Sequence, residues 1–503
     1  MNLRALVERR YAGSAIAFIA GMLLSLSYAP YEWWPLAILM PALLIWLWDG
    51  SNPRRAAVLG FWFNAGTFAA GTYWLYIAIA QNGHAPVYIA LFLMAGLVAL
   101  LGAYQGLLGW LVARFAPERG AVRWLVCIPA LWLLIEWLRS WFLSGFGWLA
   151  LGYSQTDTWL GSLAPVVGQF GIGLLVLVAA GGVATMVLGS QRERMIAVAS
   201  ILVIASAGFV FRGVEWTEKY GREISVSVVQ GSVAADDKWV EKNLQGILDL
   251  YQNLTRQALD SDLIVWPEAA VPVLANDILP YYEDLMREAS MHGAALVVGT
   301  LRKDGDQYFN SVLALDMRVG KSGWYDKHHL VPFVEFFPVP EFVRDWLRFM
   351  DLPYSAFTHG GANQEPLNAG GQRISAGVCF DDAYGSTQLP ALRTATLLVN
   401  VTNDAWFGHS TARYQHLQVS RMRAMEAGRP MVRAANDGVS AVIDAHGEIV
   451  KSAPEYEANV MRAVVQPRLG LTPYAHTGNY PVVCLALVLG LFGAYLRRRH
   501  KLA

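Results

Sequence analysis

Long apolar runs fill the first 211 positions of the chain, each near the roughly 20 residues that a helix needs to cross a hydrocarbon core about 30 Å thick. Seven are predicted to span, at Ser14–Tyr28, Trp34–Trp48, Ala57–Ala80, Val87–Ala113, Trp124–Leu143, Leu163–Leu188 and Met195–Phe211. From Arg212 to Asn479 the pattern changes to short β-rich runs and amphipathic stretches, with Asp, Glu and Lys interspersed. An eighth apolar run, Tyr480–Leu496, then precedes "RRRHK". The expected organisation is a multi-span α-helical membrane domain at 1–211, an extramembrane α/β domain at 212–479, and an eighth transmembrane helix with a basic tail at 480–503.

Inside the polar region, strands are predicted at "ISVSVVQG" from Ile224, "DLIVWPE" from Asp262, "AALVVGT" from Ala294, "NSVLALD" from Asn310, "ISAGVCFDD" from Ile374 and "ATLLVNVTND" from Ala395. Helical patterns cover Lys238–Leu259 and Thr411–Gly428. Strands alternating with helices imply sheets covered on the outside by helices. Such folds gather polar residues at strand ends.

Composition agrees with a membrane protein: 55% of residues are hydrophobic and only 16% charged, against about 25% charged in soluble proteins. Lys+Arg and Asp+Glu both number 39, so no global field points to nucleic acid or an acidic partner. The three cysteines, Cys127, Cys379 and Cys484, cannot all pair, and no disulfide framework is expected. Basic residues fall in alternate loops: Arg4, Arg9 and Arg10; Arg54 and Arg55; Arg114, Arg119 and Arg123; Arg192 and Arg194; and the C-terminal run. The intervening loops hold neither Lys nor Arg. By the positive-inside rule both termini are expected to be cytoplasmic and the large domain outside, which in a Gram-negative cell would be the periplasm. The first span is expected to be retained rather than cleaved.

Trp33, Trp34, Trp46, Trp48, Trp124, Trp141 and Trp148 lie near predicted span ends and read as interfacial anchors. Glu136 and Arg139 sit within a span at i, i+3, a spacing that allows them to pair. Intramembrane ions of this kind are either paired or functional.

Three strand-end residues carry candidate chemistry. Glu268 closes "LIVWPE", Lys327 closes "GWYDK" and Cys379 follows "ISAGV". A thiol attacks as thiolate and needs a base, which a glutamate supplies, while a lysine can stabilise the developing oxyanion. Each also has a structural explanation: free Cys is often buried, and strand-end Glu or Lys is often solvated. Asn403, Asp404 and His409 in "NDAWFGHS" suit either substrate contact or turn formation, the structural role being the preferred reading. Arg421, Arg423 and Arg429 suit a solvated or packing face, with contact to a lipid headgroup as the alternative.

"DLIVWPEAAVP", "YDKHHLVPFVEFFP" and "GVCFDD", in that order, resemble the Glu, Lys and Cys motifs of the nitrilase superfamily. With "VVQGSV" upstream, "NVTNDAWFGHSTARYQHLQVSRMRAMEAGRP" downstream and eight apolar spans, nearly the whole chain resembles the apolipoprotein N-acyltransferase family. The resemblance implies a nitrilase-like αββα sandwich, with Glu268 as general base, Lys327 as oxyanion stabiliser and Cys379 as nucleophile. It further implies Glu335 as an acidic residue near the thiol and Trp239 in the active-site region. Phe380 and Asp381, expected beside the substrate, depart from the family pattern, which more often has Tyr–Glu after the cysteine.

The implied reaction moves the sn-1 acyl chain of a phospholipid, phosphatidylethanolamine being the usual donor, through a Cys379 thioester. The acceptor is the N-terminal amine of a diacylglyceryl-modified apolipoprotein, and the setting is the bacterial inner membrane. No cofactor, metal or nucleic acid enters that scheme, and a monomer is the simplest expectation. Pro340–Phe357, rich in aromatic and aliphatic residues, reads either as a lid resting on lipid or as a helix packed on its own domain.

Other readings use the same residues. A membrane-tethered nitrilase or amidase would hydrolyse a C–N bond with the same trio but gives no reason for eight spans. A transporter would place several ionisable residues within its spans, and here Glu136 and Arg139 are the main ones. A metal enzyme would draw on His328, His329, His359, Asp381 and Asp382, but no pair has the spacing of a known metal motif.

Overall fold

The structure is a computed structural model that describes residues 11–320, 322–332, 334–336 and 357–502. It divides into two compact units. The described residues up to Val214, with His409–Gln418 and those from Thr477 onward, form the first; Glu215–Gly408 and Val419–His476 form the second.

Helices of the first unit occupy Ala12–Ser25, Leu36–Trp48, Pro53–Gly71, Val87–Phe115, Ile128–Arg139, Ala164–Leu188, Gln191–Phe211 and Tyr480–Leu502. Among the described residues four segments are long and apolar enough to cross a membrane: Val87–Phe115, Trp159–Leu188, Gln191–Phe211 and Tyr480–Arg499. The first two helices hold 14 and 13 residues. At 1.5 Å per residue they rise only about 20 Å. The apolar run at Ala57–Ala80 is likewise interrupted, because its helix stops at Gly71 and Thr72 Oγ1 turns back to donate to the Phe68 carbonyl at 2.6 Å.

Close helix crossings rest on small residues. A Cβ on Gly21 would stand 1.8 Å from the Phe63 carbonyl oxygen, and one on Gly66 2.0 Å from that of Phe18. No residue larger than glycine fits where these two helices touch. Several tryptophans expected as anchors are instead packing residues. Trp48, Trp124 and Trp148 are buried, and the indoles of Trp48 and Trp148 donate to the Ala56 carbonyl at 2.9 Å and to Gln415 Oε1 at 2.6 Å. Trp33 and Trp141 are exposed, as anchors require. Glu136 and Arg139 lie 3.6 Å apart. Glu136 accepts from the Leu151 amide at 3.0 Å, and Arg139 donates to the carbonyls of Phe146 and Trp148 at 2.6 and 2.8 Å. Their charges tie down the irregular segment after Arg139, as far as the short 3-10 helix that opens at Leu151, which fits a structural pair.

The second unit contains fourteen strands among its described residues: β1 218–219, β2 224–230, β3 263–266, β4 295–304, β5 307–315, β6 323–326, β7 367–369, β8 372–378, β9 397–402, β10 431–435, β11 441–443, β12 449–452, β13 459–465 and β14 468–469. Two six-stranded sheets result, ordered β13-β2-β3-β4-β5-β6 and β12-β11-β10-β9-β8-β7, while β1 and β14 pair by themselves. The central strands β2-β3-β4 and β8-β9-β10 are parallel, and the outer pairings are antiparallel. Parallel strands are covered on both faces and so carry apolar residues at consecutive positions. Leu263 and Val265 of β3 face the other sheet, in a core shared with Val378, Val399 and Val432. Ile264 and Trp266 point the opposite way, against Ile247, Tyr251 and Leu254 of the helix Leu244–Gln257 and Tyr282 and Leu285 of the helix Leu279–Met291.

All six strands expected from the β-rich runs are present. The helix expected over Lys238–Leu259 begins only at Leu244; Lys238 ends a separate short helix, Ala235–Lys238, and is buried. The segment Pro340–Phe357, apart from Phe357, lies outside the described residues, as do Arg4, Arg9 and Arg10.

Candidate active site

Four strand ends of the second unit supply the site. β3 stops at Trp266, and the turn that follows carries Glu268. Its path depends on Gly299 of β4, where a Cβ would lie 2.3 Å from the Pro267 oxygen and 2.6 Å from the Glu268 Cα. Ala270 N–H donates to the Gly299 carbonyl at 3.0 Å and closes the turn. Lys327 follows β6, its amide pinned to the Asn310 carbonyl at 2.8 Å. Cys379 follows β8 and takes φ +50°, a left-handed conformation that a side chain other than glycine rarely adopts. It opens a short 3-10 turn, Cys379–Ala383.

The Lys327 ammonium is fully buried between two carboxylates. Its Nζ lies 3.0 and 2.9 Å from Glu335 Oε1 and Oε2, and 3.6 Å from Glu268 Oε1. Asn310 of β5 joins the same two acids, its Nδ2 donating to Glu268 Oε1 at 2.7 Å and to Glu335 Oε1 at 2.8 Å. The Asn403 amide, just past β9, donates to Glu268 Oε2 at 2.9 Å. The Val331 amide donates to Glu335 Oε2 at 2.8 Å. Burial by itself favours a neutral amine at Lys327, but Glu335, Glu268, Cys379 and Asp381 together hold its pKa above the ordinary lysine range. Lys327 is therefore a fixed positive charge.

Burial pushes the Cys379 thiol well above its usual range. Glu268 pushes the same way, Lys327 opposes, Asp404 adds to the rise, and a hydrogen bond from Thr402 opposes it. Glu268 and Lys327 are both among the charges that act on this sulfur. At rest the sulfur is protonated, so attack requires a base to remove that proton.

The residues after the cysteine face inward. Asp381 is 1% exposed. Its Oδ1 accepts from the His329 amide at 2.8 Å, and its Oδ2 accepts from Tyr325 Oη at 3.0 Å and the Val378 amide at 3.1 Å. Burial pushes its carboxyl up to about 6, against Lys327 and these donors. Phe380 is buried and meets Tyr384 edge-on at 5.4 Å. Trp239, by contrast, is 53% exposed.

Sequence reasoning missed Asn310, the Asn403 amide and Lys238. Asn310 begins a strand run whose other residues are mostly apolar, the one signal that could have marked it. Lys238 is fully buried, with Nζ donating to the Glu268 carbonyl at 3.2 Å. Burial lowers it to about 8, although Glu268 and Asp437 pull upward. Arg421, Arg423 and Arg429 are buried: Arg421 donates to the Gly447 carbonyl at 2.6 Å, Arg423 pairs with Glu426 at 2.9 Å, and Arg429 donates to the Ala395 carbonyl at 2.9 Å. They form a packing face rather than a solvated one. Among the described residues no group of three or more His, Cys, Asp or Glu side chains could hold a metal. His329, lowered by burial to about 3 with help from His328, Lys327 and His359, stays neutral near pH 7.

Residues 20–182 match the family described as apolipoprotein N-acyltransferase N-terminal domain, and residues 225–474 match carbon-nitrogen hydrolase. The chain is 39% identical over 489 residues to an apolipoprotein N-acyltransferase of Methylococcus capsulatus, a match covering 97% of this chain and 96% of that protein. Proteins of the same description from Vibrio parahaemolyticus and Chromobacterium violaceum are 37% and 39% identical, over 97% and 94% of this chain and 98% and 92% of theirs.

Proposed function

The chain belongs to the apolipoprotein N-acyltransferase family and is an N-acyltransferase, and on that premise we propose a ping-pong reaction through a Cys379 thioester. In the first half-reaction Glu268 takes the thiol proton, and the sulfur attacks the sn-1 ester carbonyl of a phospholipid, with phosphatidylethanolamine the donor in view. Lys327 stabilises the oxyanion, Glu268 returns the proton to the departing alkoxide, and a lysophospholipid leaves. In the second, the α-amine of a diacylglyceryl-cysteine at an apolipoprotein N-terminus attacks the thioester. Glu268 accepts the amine proton, and the amide product leaves a free thiol.

The observation that carries this reading is the Lys327 ammonium held by Glu335 and Glu268 within electrostatic reach of Cys379. Glu335 and Asn310 position the lysine and the base. Asp381, with its carboxylate occupied by three donors, suits positioning of the nucleophile turn, while exposed Trp239 and the ring of Phe380 suit contact with an acyl chain.

The reading extends to topology: eight membrane-spanning helices, seven within 1–211 and one within 480–503, hold a catalytic domain at 212–479 on the periplasmic side of the inner membrane of a monomer. Both termini are cytoplasmic. Acyl chains leave a bilayer at a cost of about 0.8 kcal/mol per CH₂, which favours a site facing the membrane.

Intact mass after incubation with phospholipid alone tests the first half-reaction. A fatty-acyl adduct on Cys379 is expected, absent in Cys379→Ser and Glu268→Gln; no adduct under any lipid condition refutes the mechanism. Lysophospholipid release that rises with an amine-bearing lipopeptide supports transfer, whereas steady release to water supports hydrolysis.

A further inference from the structure

Two buried amines approach the base, and the reaction as derived uses one of them. Lys327 meets the Glu268 carboxylate at 3.6 Å. Lys238 reaches the same residue through its backbone: it closes the short helix Ala235–Lys238, and its Nζ donates to the Glu268 carbonyl at 3.2 Å. Its side chain is wholly buried. Burying an ammonium is costly unless it is paired and hydrogen-bonded, and an apolar side chain would end this helix at no such cost. An amine buried beside a base is a placement that active sites use.

The contact holds one flank of the turn that aims the base. Ala269, directly after Glu268, takes φ +43°, a left-handed conformation that a residue with a side chain adopts only where its surroundings impose it. On the β4 flank, Gly299 leaves no room for a side chain against the Glu268 Cα and accepts from the Ala270 amide. Lys238 holds the Glu268 carbonyl itself. Lys238 is fixed in its turn, its own amide donating to the Ala234 carbonyl at 3.0 Å. The loop before it is latched just beyond β10, where the Ser232 amide donates to the Asn436 carbonyl at 2.7 Å, the Val233 amide to Asn436 Oδ1 at 3.2 Å, and Asn436 Nδ2 back to the Val233 carbonyl at 2.7 Å. The charged groups that act on the amine are Glu268 and Asp437, the latter next to that latch. Asp236 and Asp237 of its own helix are exposed.

We propose that Lys238 is a positioning residue for acyl transfer: its ammonium holds the Glu268 carbonyl, and with it the turn that aims the carboxylate at the thiol, and loss of its proton to solvent loosens that hold. An ammonium donates more strongly than a neutral amine. Burial lowers Lys238 to about 8, so the change falls where activity can be measured. The inference deepens the acyl-transfer reading and rests on Glu268 being the base.

The test is the pH profile of acyl-adduct formation at Cys379, followed in single turnovers with phosphatidylethanolamine in the full-length, detergent-solubilised protein and read beside denaturant melts. The wild-type rate is expected to fall about tenfold as pH rises through about 8, the difference between a charged and a neutral donor. The contribution of Lys238 to stability moves the other way, rising from about 8 toward 10.5, because over that window the unfolded chain keeps a proton that the folded chain has released. A structural role alone would not slow the reaction where the fold gains stability. Lys238→Met removes both charge and donor, so below pH 8 it should form the adduct about tenfold or more slower than the wild type and show no alkaline limb. A wild-type rate that stays level through about pH 8 overturns the proposal and requires no variant to fold. So does a Lys238→Met rate less than about tenfold below the wild type, or one that keeps the limb. No adduct in the wild type refutes the acyl-transfer reading and this proposal together; an adduct lost in Glu268→Gln but unaltered in Lys238→Met refutes this proposal alone.

Discussion

Replacing Lys327 by Met removes the cation on which two carboxylates converge, and the consequences follow from two distances. Lys327 Nζ is 3.6 Å from Glu268 Oε1 and 2.9 Å from Glu335 Oε2. At an effective dielectric constant of about 20 these separations correspond to roughly 5 and 6 kcal/mol of attraction, before the cost of desolvating the charges. Breaking a buried pair by deleting one partner costs about 3–5 kcal/mol net, because the remaining charges are left uncompensated. Two such acids remain here, joined by the Asn310 amide. Lys327→Met is therefore expected to lose about 3–5 kcal/mol of stability near neutral pH. That loss shrinks as pH falls, because a proton can take the place of the missing ammonium. Acylation should fall by at least about 10³-fold, since an oxyanion donor alone is worth about 10²–10³ and the base is also disturbed. Denaturant melts across pH and single-turnover adduct formation with phospholipid measure the two effects. An adduct forming within tenfold of the wild-type rate, or a stability loss that grows as pH falls, would refute the electrostatic account.

Asn310 donates one amide nitrogen to both Glu268 and Glu335. Asn310→Ala should slow acyl-enzyme formation by about 10²-fold, as loss of a hydrogen bond to a charged group predicts, and Asn310→Asp, which adds a third acid, should slow it further; rapid-quench adduct formation reads both. The Asp381 carboxyl, pushed up to about 6 from 3.8, binds its proton more tightly folded than unfolded. The burial penalty on its charge is thus fully present above about 6 and is relieved as pH falls from 6 toward 3.8, a swing of up to about 3 kcal/mol. Asp381→Asn should flatten that window in denaturant melts, and a wild-type stability that falls through the window more steeply than the variant's would contradict the sign.

The sequence by itself determined the division into apolar runs and an α/β region, the strands that lead to Glu268 and Cys379, and the acid, amine and thiol of the proposed acyl transfer. These are properties of short segments, because periodicity and residue chemistry are local. Tertiary structure decided which strand ends meet, through the β8-β9 register and the turn over Gly299. It also decided which polar residues lose their water. Asn310 and Lys238 look ordinary in a string of letters, and the arginines after "NDAWFG" could as well face solvent. Only packing makes Asn310 the bridge between two acids and the arginines interior braces. The same holds for the tryptophans, where position along the chain suggests an interface but the fold buries Trp48, Trp124 and Trp148. Burial and convergence belong to segments distant along the chain, so no local pattern encodes them.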